Sequence, residues 1–197
     1  MKQIVLLLLL SIAFQFSVSG QSALSKLKEK KLQSSSSAAK PKHENKKKGL
    51  SNHMRPDNVE NDAVSGGFNT LSSGNEAAAI DQFDDYSDSD PDAAYGLGLA
   101  YYLDGQTDNA VQALNGAVEL DAANTDAYYL LGVIYAEQGD YEKSSEALIQ
   151  LLEIDPADAD AWYLLGFLLY HSGYEDEARE CLAAVLEIDP EYPDATY

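Results

Sequence analysis

The side chains best suited to chemistry are few, and their spacing argues against it. His43, His53 and His171 are the only histidines, and Cys181 is the only cysteine. Two of the histidines lie in an N-terminal segment, and His171 falls near a predicted helix end. Two zinc ligands on one helix face need a spacing such as His-Glu-x-x-His, and a knuckle needs Cys-x-x-Cys. Neither is present, so no transition-metal site is expected. No Gly-x-Ser-x-Gly elbow or phosphate-binding loop occurs either. Cys181 sits inside a predicted helix where a small apolar residue is wanted, which makes it core rather than nucleophile. Asp88-x-Asp90-x-Asp92 opens like a calcium loop. Ala93 then stands where the turn glycine belongs, and Leu99 where the bidentate glutamate belongs, so a full site is not expected. Glu175-Asp176-Glu177 reads as a solvated helix face. The expectation is a protein without catalytic residues, cofactor or metal.

Charge says more about partners than about reactions. The 197 residues hold 13 Lys+Arg against 33 Asp+Glu, a net charge of −20. The first 56 residues carry 11 of those cations and 2 of the acids, a net of +9. The rest of the chain is therefore at −29. An acidic body repels nucleic acid and anionic membrane and attracts basic, partly apolar partners. With one cysteine no intrachain disulfide can form, so stability must come from an apolar core or from association.

The basic end divides in two. Lys2, an apolar run from Ile4 to Phe16 and the small residues Val18 and Gly20 read as a secretory signal peptide over residues 1–20, cleaved after Gly20. The run is too short to span a bilayer, which needs about 20 apolar residues. Lysines follow it closely, so an uncleaved anchor is the alternative. Residues 21–59 form a basic, low-complexity linker. Ser34 to Ser37, Lys40-Pro41-Lys42 and Lys46-Lys47-Lys48-Gly49 leave too little apolar surface to offset the entropy of ordering, so a disordered extension is expected. Leu24 and Leu27 among lysines could also touch a membrane surface weakly as a short amphipathic helix. After cleavage, a flexible tether would hold a basic tail beside an acidic body. The expectation is that residues 21–56 fold onto that body at low salt and compete with other basic ligands; a plain spacer is the alternative.

The body is repetitive. Gly98, Gly132 and Gly166 recur every 34 residues, as do Gly105, Gly139 and Gly173, and Leu114, Leu148 and Leu182. Glu119-Leu120-Asp121 returns as Glu153-Ile154-Asp155 and Glu187-Ile188-Asp189. Each unit predicts two helices. Ala127, Leu131, Ile134 and Tyr135 share one face of the first. Gly139-Asp140 makes the turn, because glycine enters the left-handed conformation without strain. Tyr141, Leu148, Leu151 and Leu152 mark the inner face of the second, which Asp155-Pro156 ends. Gly132 inside a helix costs roughly 1 kcal/mol in propensity. Its periodic return implies a helix approaching too closely for a side chain.

The period and the pattern W-x2-L-G-x2-Y…A-x3-F…P resemble the tetratricopeptide repeat. The third unit carries Trp162, Leu165, Gly166, Ala178, Leu182 and Pro190 at the matching places. The second carries Tyr128, Leu131, Gly132, Tyr135, Leu148 and Pro156. The first carries Leu97, Gly98, Tyr101, Ala110 and Leu114. Leu169, Ser144, Ala94 and Ala122 depart from the pattern. Three repeats are assigned to about residues 91–124, 125–158 and 159–192. A degenerate repeat at 60–91 precedes them, with landmarks Gly67, Gly74-Asn75, Ala79, Phe83 and Pro91 and a connection shortened near Asp90-Pro91. Residues 191–197 read as the start of an incomplete further helix. The fold class implied is all-α, a right-handed solenoid of helix-turn-helix repeats.

Such a stack curves, and the resemblance implies that first helices line the concave side. Carried over position by position, the groove would present Asp92, Asp126 and Asp160; Tyr95, Tyr129 and Tyr163; Leu99, Val133 and Phe167. Tyr102, Leu103, Ala136, Glu137, Tyr170 and His171 would extend it. The result is an aromatic and aliphatic stripe edged by carboxylates, suited to a basic or apolar peptide. Of these positions only His171 is basic, which disfavours clamping an acidic C-terminus. The alternative for the tyrosines is packing between repeats.

The function expected is an exported scaffold or adaptor, periplasmic or secreted with a bacterial envelope favoured, that binds a protein segment in its groove. A structural subunit is the second reading. It would form a homo-oligomer through the C-terminal repeat, whose last helix around Cys181, Leu182 and Val185 has no polar cap. A fragment of a longer repeat protein is the third.

Overall fold

Asparagine and aspartate set the helix starts. In the computed structural model, which describes His53, Met54, Pro56, residues 59–193 and Ala195, the side chains of Asn61, Asn75, Asp90, Asn124, Asp140 and Asp158 each accept from a backbone N–H of the first turn. Those donors would otherwise be unsatisfied at a helix N-terminus. The eight helices of the described residues are α1 (Asp62–Ser72), α2 (Glu76–Asp84), α3 (Pro91–Leu103), α4 (Thr107–Leu120), α5 (Thr125–Gln138), α6 (Tyr141–Ile154), α7 (Ala159–His171) and α8 (Glu175–Ile188). Pro91 opens α3 at a position where its missing N–H costs nothing.

The turns within hairpins share one geometry. Gly74, Gly105, Gly139 and Gly173 hold φ between 80° and 84°. At Gly139 the glycine N–H donates to Ala136 O at 3.1 Å and the Asp140 N–H reaches Tyr135 O at 2.9 Å. This is the paired bond of a Schellman turn, and it needs a left-handed residue.

Close packing explains the mid-helix glycines. A Cβ on Gly132 would sit 2.9 Å from Leu148 Cδ2 of the facing helix. Ser144, the departure from the usual alanine, is buried and donates from Oγ to Gly132 O at 2.6 Å. Hydroxyl and glycine thus hold α5 against α6 as a pair.

The weak first repeat is present as α1 and α2, with Phe83 filling the space over Gly67 and Gly96. The three missing residues come from a different place than expected. The connection at 85–90 is longer than its counterpart at 121–124; the second helix is what shrinks, to 9 residues against 14 in α4. Phe83 is fully buried, at the place where Leu114 and Leu148 face the glycines of the later repeats.

Helices pair within each repeat, and each second helix leans on the next first helix. Successive first helices α3, α5 and α7 also touch each other, and the second helices α4, α6 and α8 approach each other less. The first helices therefore line the inner side. At the C-terminal end, Cys181, Leu182 and Val185 are buried against α7 rather than exposed. Past Ile188 the described residues form a turn, not a helix, and Tyr192 and Ala195 cover the end of the core. Residues 194, 196 and 197, the segment 1–20 expected to be a signal peptide and nearly all of the 21–59 segment expected to be a linker lie outside the described residues. No described helix is long and apolar enough to cross a membrane.

Candidate functional site

The inner face is built from the N-terminal halves of α3, α5 and α7. Asp126 lies in the first turn of α5 and Asp160 in that of α7, where the helix dipole favours a carboxylate. One turn further on, Tyr95, Tyr129 and Tyr163 sit at equivalent places. Their surroundings differ. Tyr95 and Tyr129 are buried and Tyr163 is half-buried.

The reason is that another part of the chain lies on them. His53, expected to be in a solvated linker, is 7 % exposed. Its ring stacks on Tyr129, with centroids 4.0 Å apart and planes 18° from parallel. Its Nδ1 lies 2.7 Å from Asp126 Oδ1, and its Nε2 lies 3.2 Å from Asp158 Oδ2. Its backbone carbonyl accepts from the Tyr95 hydroxyl. Met54 packs on the apolar cluster of the first repeats.

Both ring nitrogens face carboxylates, which describes an imidazolium donating twice. Burial opposes the charge, but hydrogen bonds to Asp126 and Asp158 and their negative charges outweigh it. They raise the His53 pKa from 6.5 to about 9. Burial first, and Asp126 second, push the Tyr95 hydroxyl well above its ordinary range. Tyr129 moves the same way through burial and then the Asp160 and Asp158 charges. The phenols thus stay neutral, and Tyr95 remains a donor.

Asp158 serves twice. One oxygen caps α7 through the Ala161 N–H at 2.8 Å and the other faces His53. Asp160, 5 % exposed, accepts from the Tyr192 hydroxyl at 2.6 Å. Tyr192 in turn lies over Tyr163, with ring centroids 5.2 Å apart. His53, Asp158 and Asp160 each offer a ligand atom within 4.8 Å of the others. Such a set could take a divalent cation only with His53 deprotonated, in competition with the two donated bonds.

The remaining candidate residues divide between core and surface. Leu99, Val133 and Ala136 are buried in the apolar clusters. Asp92 is half-buried, and its carboxyl is raised by burial and then by neighbouring Asp90 and Asp126. Tyr102 donates to Glu137 at 3.2 Å across the repeat boundary. Leu103 and Tyr170 are exposed, and His171 lies against Phe167 at 4.2 Å between centroids. Burial lowers the His171 pKa, so it is neutral at pH 7. Elsewhere, Cys181 is a buried thiol with its pKa pushed up to about 12, inert as a nucleophile.

Sequence reasoning missed three members of this face: His53, Asp158 and Tyr192. Asp158 had a signal, since it shares the 34-residue register of the cap residues Asp90 and Asn124. His53 had only the charge contrast between tail and body, which names no residue, and Tyr192 had none. A cleft of about 510 Å³ between α3, α4 and the turn after α2 was also unforeseen. Ala94 lines it, at the place where Trp162 fills the third repeat.

Comparisons with known proteins agree with the fold. Family models of the tetratricopeptide repeat match residues 71–127, 101–164 and 146–197. A crystal structure of MamA aligns with a TM-score of 0.62 and 28% identity, covering 75% of this chain and 85% of that one. A second MamA crystal structure gives 0.60 and 27% over 75% and 80% of the two chains. A third, MamA AMB-1, gives 0.59 and 24% over 68% and 74%, a likeness of fold. Among curated proteins there is no match.

Proposed function

We propose that this chain, which belongs to the tetratricopeptide repeat family, is an exported, non-catalytic scaffold that holds an extended segment of a partner protein along its inner face. The observation that carries the reading is the treatment of His53. Three first helices converge on His53 and meet its ring, its charge and its backbone carbonyl with Tyr129, Asp126 with Asp158, and Tyr95. A surface able to do this for its own chain has the chemistry to do it for another. Tyrosine supplies wide contact at small rotamer cost, and carboxylates select basic segments.

Export rests on the sequence of residues 1–20 and on no other feature. A periplasmic or secreted setting is the compartment that sequence supports, with a bacterial envelope preferred.

The test is capture from an envelope extract by the mature protein and by its Tyr129→Ala, Tyr163→Ala variant, both checked for helicity by circular dichroism. Partners held by the groove should vanish from the variant. Identical catches from two folded proteins would remove the inner face from consideration.

A further inference from the structure

The contacts around His53 have the form of a recognition subsite with its own ligand in place. The receiving side is preformed. Tyr95 and Tyr129 are fixed within α3 and α5, and Asp158 is locked by its capping bond to α7. The occupant comes from outside the repeats, reaching Asp126 across 73 residues of sequence. A slot whose walls are held by their own helices binds a replacement at little entropic cost.

We propose that the slot formed by Tyr95, Asp126, Tyr129 and Asp158 is a subsite for a planar cationic side chain, histidinium or guanidinium, on a peptide, and that His53 fills it as a built-in competitor. This rests on the scaffold reading above and specifies what that scaffold selects. The shape of the slot sets the preference. A flat group must lie on the Tyr129 ring at 4.0 Å. Donors must leave its edge in two directions to reach carboxylates at 2.7 and 3.2 Å. Guanidinium meets both demands, being planar with several fixed donors. The lysine ammonium has charge but no plane to stack, so it fits worse. The Tyr95 hydroxyl then donates to the backbone carbonyl of the same residue, so the slot holds main chain as well as side chain. A neutral or acidic residue there would leave two carboxylates facing each other without a cation.

The competitor is tethered, so a free peptide faces a high local concentration of His53. Binding to the intact chain is weakened by the fraction of slots already filled.

Fluorescence anisotropy of a capped, labelled peptide of residues 49–57 with Arg55→Ala, so that position 53 holds its only candidate cation, tests this, with EDTA present, on the full chain and on its His53→Ala and His53→Asp variants. Both variants should bind the peptide at least about tenfold more tightly than the native chain, as expected when a mostly filled site is vacated. A peptide with arginine at position 53 should bind as well as or better than the histidine peptide. Alanine or lysine there should weaken binding by about tenfold, the scale of one or two charge-assisted hydrogen bonds. Asp158→Asn in the His53→Ala background keeps the helix cap and should lose the preference for a cation. Equal affinity for native and variant chains overturns the proposal, as does equal binding of the alanine peptide. Peptide binding that appears only when EDTA is replaced by zinc overturns it too, by assigning the cluster to a metal. If capture from extract still depends on Tyr129 and Tyr163 while the peptide ignores position 53, only this proposal falls. If capture is indifferent to the tyrosines, the scaffold reading falls with it.

Discussion

Two rings cover two equivalent tyrosines on the inner face, and they are held by opposite means. His53 lies on Tyr129 and is fixed by charge, between Asp126 and Asp158. Tyr192 lies over Tyr163 and is fixed as a neutral phenol, donating to Asp160. The first occupant arrives from the basic end of the chain; the second is the chain simply continuing past α8. One repeated template therefore accepts either a cation or a hydroxyl. What decides is whether the carboxylate partners come as a pair or singly. The difference teaches that the His53 position is the adjustable one. Its occupant responds to salt, pH and competitors, whereas Tyr192 is part of the wall.

The comparison breaks most readily at Tyr192. Replacing it with alanine strips a buried ring from the last repeat and leaves Asp160 without that donor. Stability should fall by about 3 kcal/mol, read from the urea midpoint. A fall under about 1 kcal/mol would mean Tyr192 is as detachable as His53. The His53→Ala chain should lose less, about 1 kcal/mol, because water can return to Asp126 and Asp158 once the segment that carries residue 53, the strap, lifts. A loss equal to that of Tyr192→Ala would make the strap a structural element.

The stabilising effect of His53 should also have its own pH window. Its docked pKa of about 9 lies above the ordinary 6.5. The contribution is therefore fully present below pH 6.5 and is lost as pH rises through about 9. Urea midpoints of native and His53→Ala chains should converge over that interval. The difference between native and Tyr192→Ala should stay constant across it, since burial and Asp160 raise the Tyr192 hydroxyl beyond reach. Salt should erode the His53 effect and spare the Tyr192 effect.

The smallest change is expected at Tyr170, 49% exposed on the uncovered end of the stripe. Tyr170→Ala should shift stability by less than about 0.5 kcal/mol. It should still reduce partner capture if ligands run past the His53 slot along the whole face. Unchanged capture would confine recognition to the slot.

The repeats were legible because period and chemistry coincide. Helix pairs, turn glycines and cap residues return every 34 positions, and each return restates a local rule about φ, capping or a buried face. Those rules act within a few residues, so the amino-acid order alone determined the fold class, an all-α stack of helix pairs. It could not tell that Leu99 and Val133 would serve the core, because burial depends on what the neighbouring helix brings. Nor could it show that the degenerate repeat saves length in α2 and not in the connection after it. His53, Tyr192 and the second oxygen of Asp158 became partners of the face only through tertiary structure. Their encounters span 73 and 32 residues and obey no period. A charge imbalance foretold that tail and body attract. Only the folded geometry of ring, carboxylates and hydroxyl could decide which side chain is received.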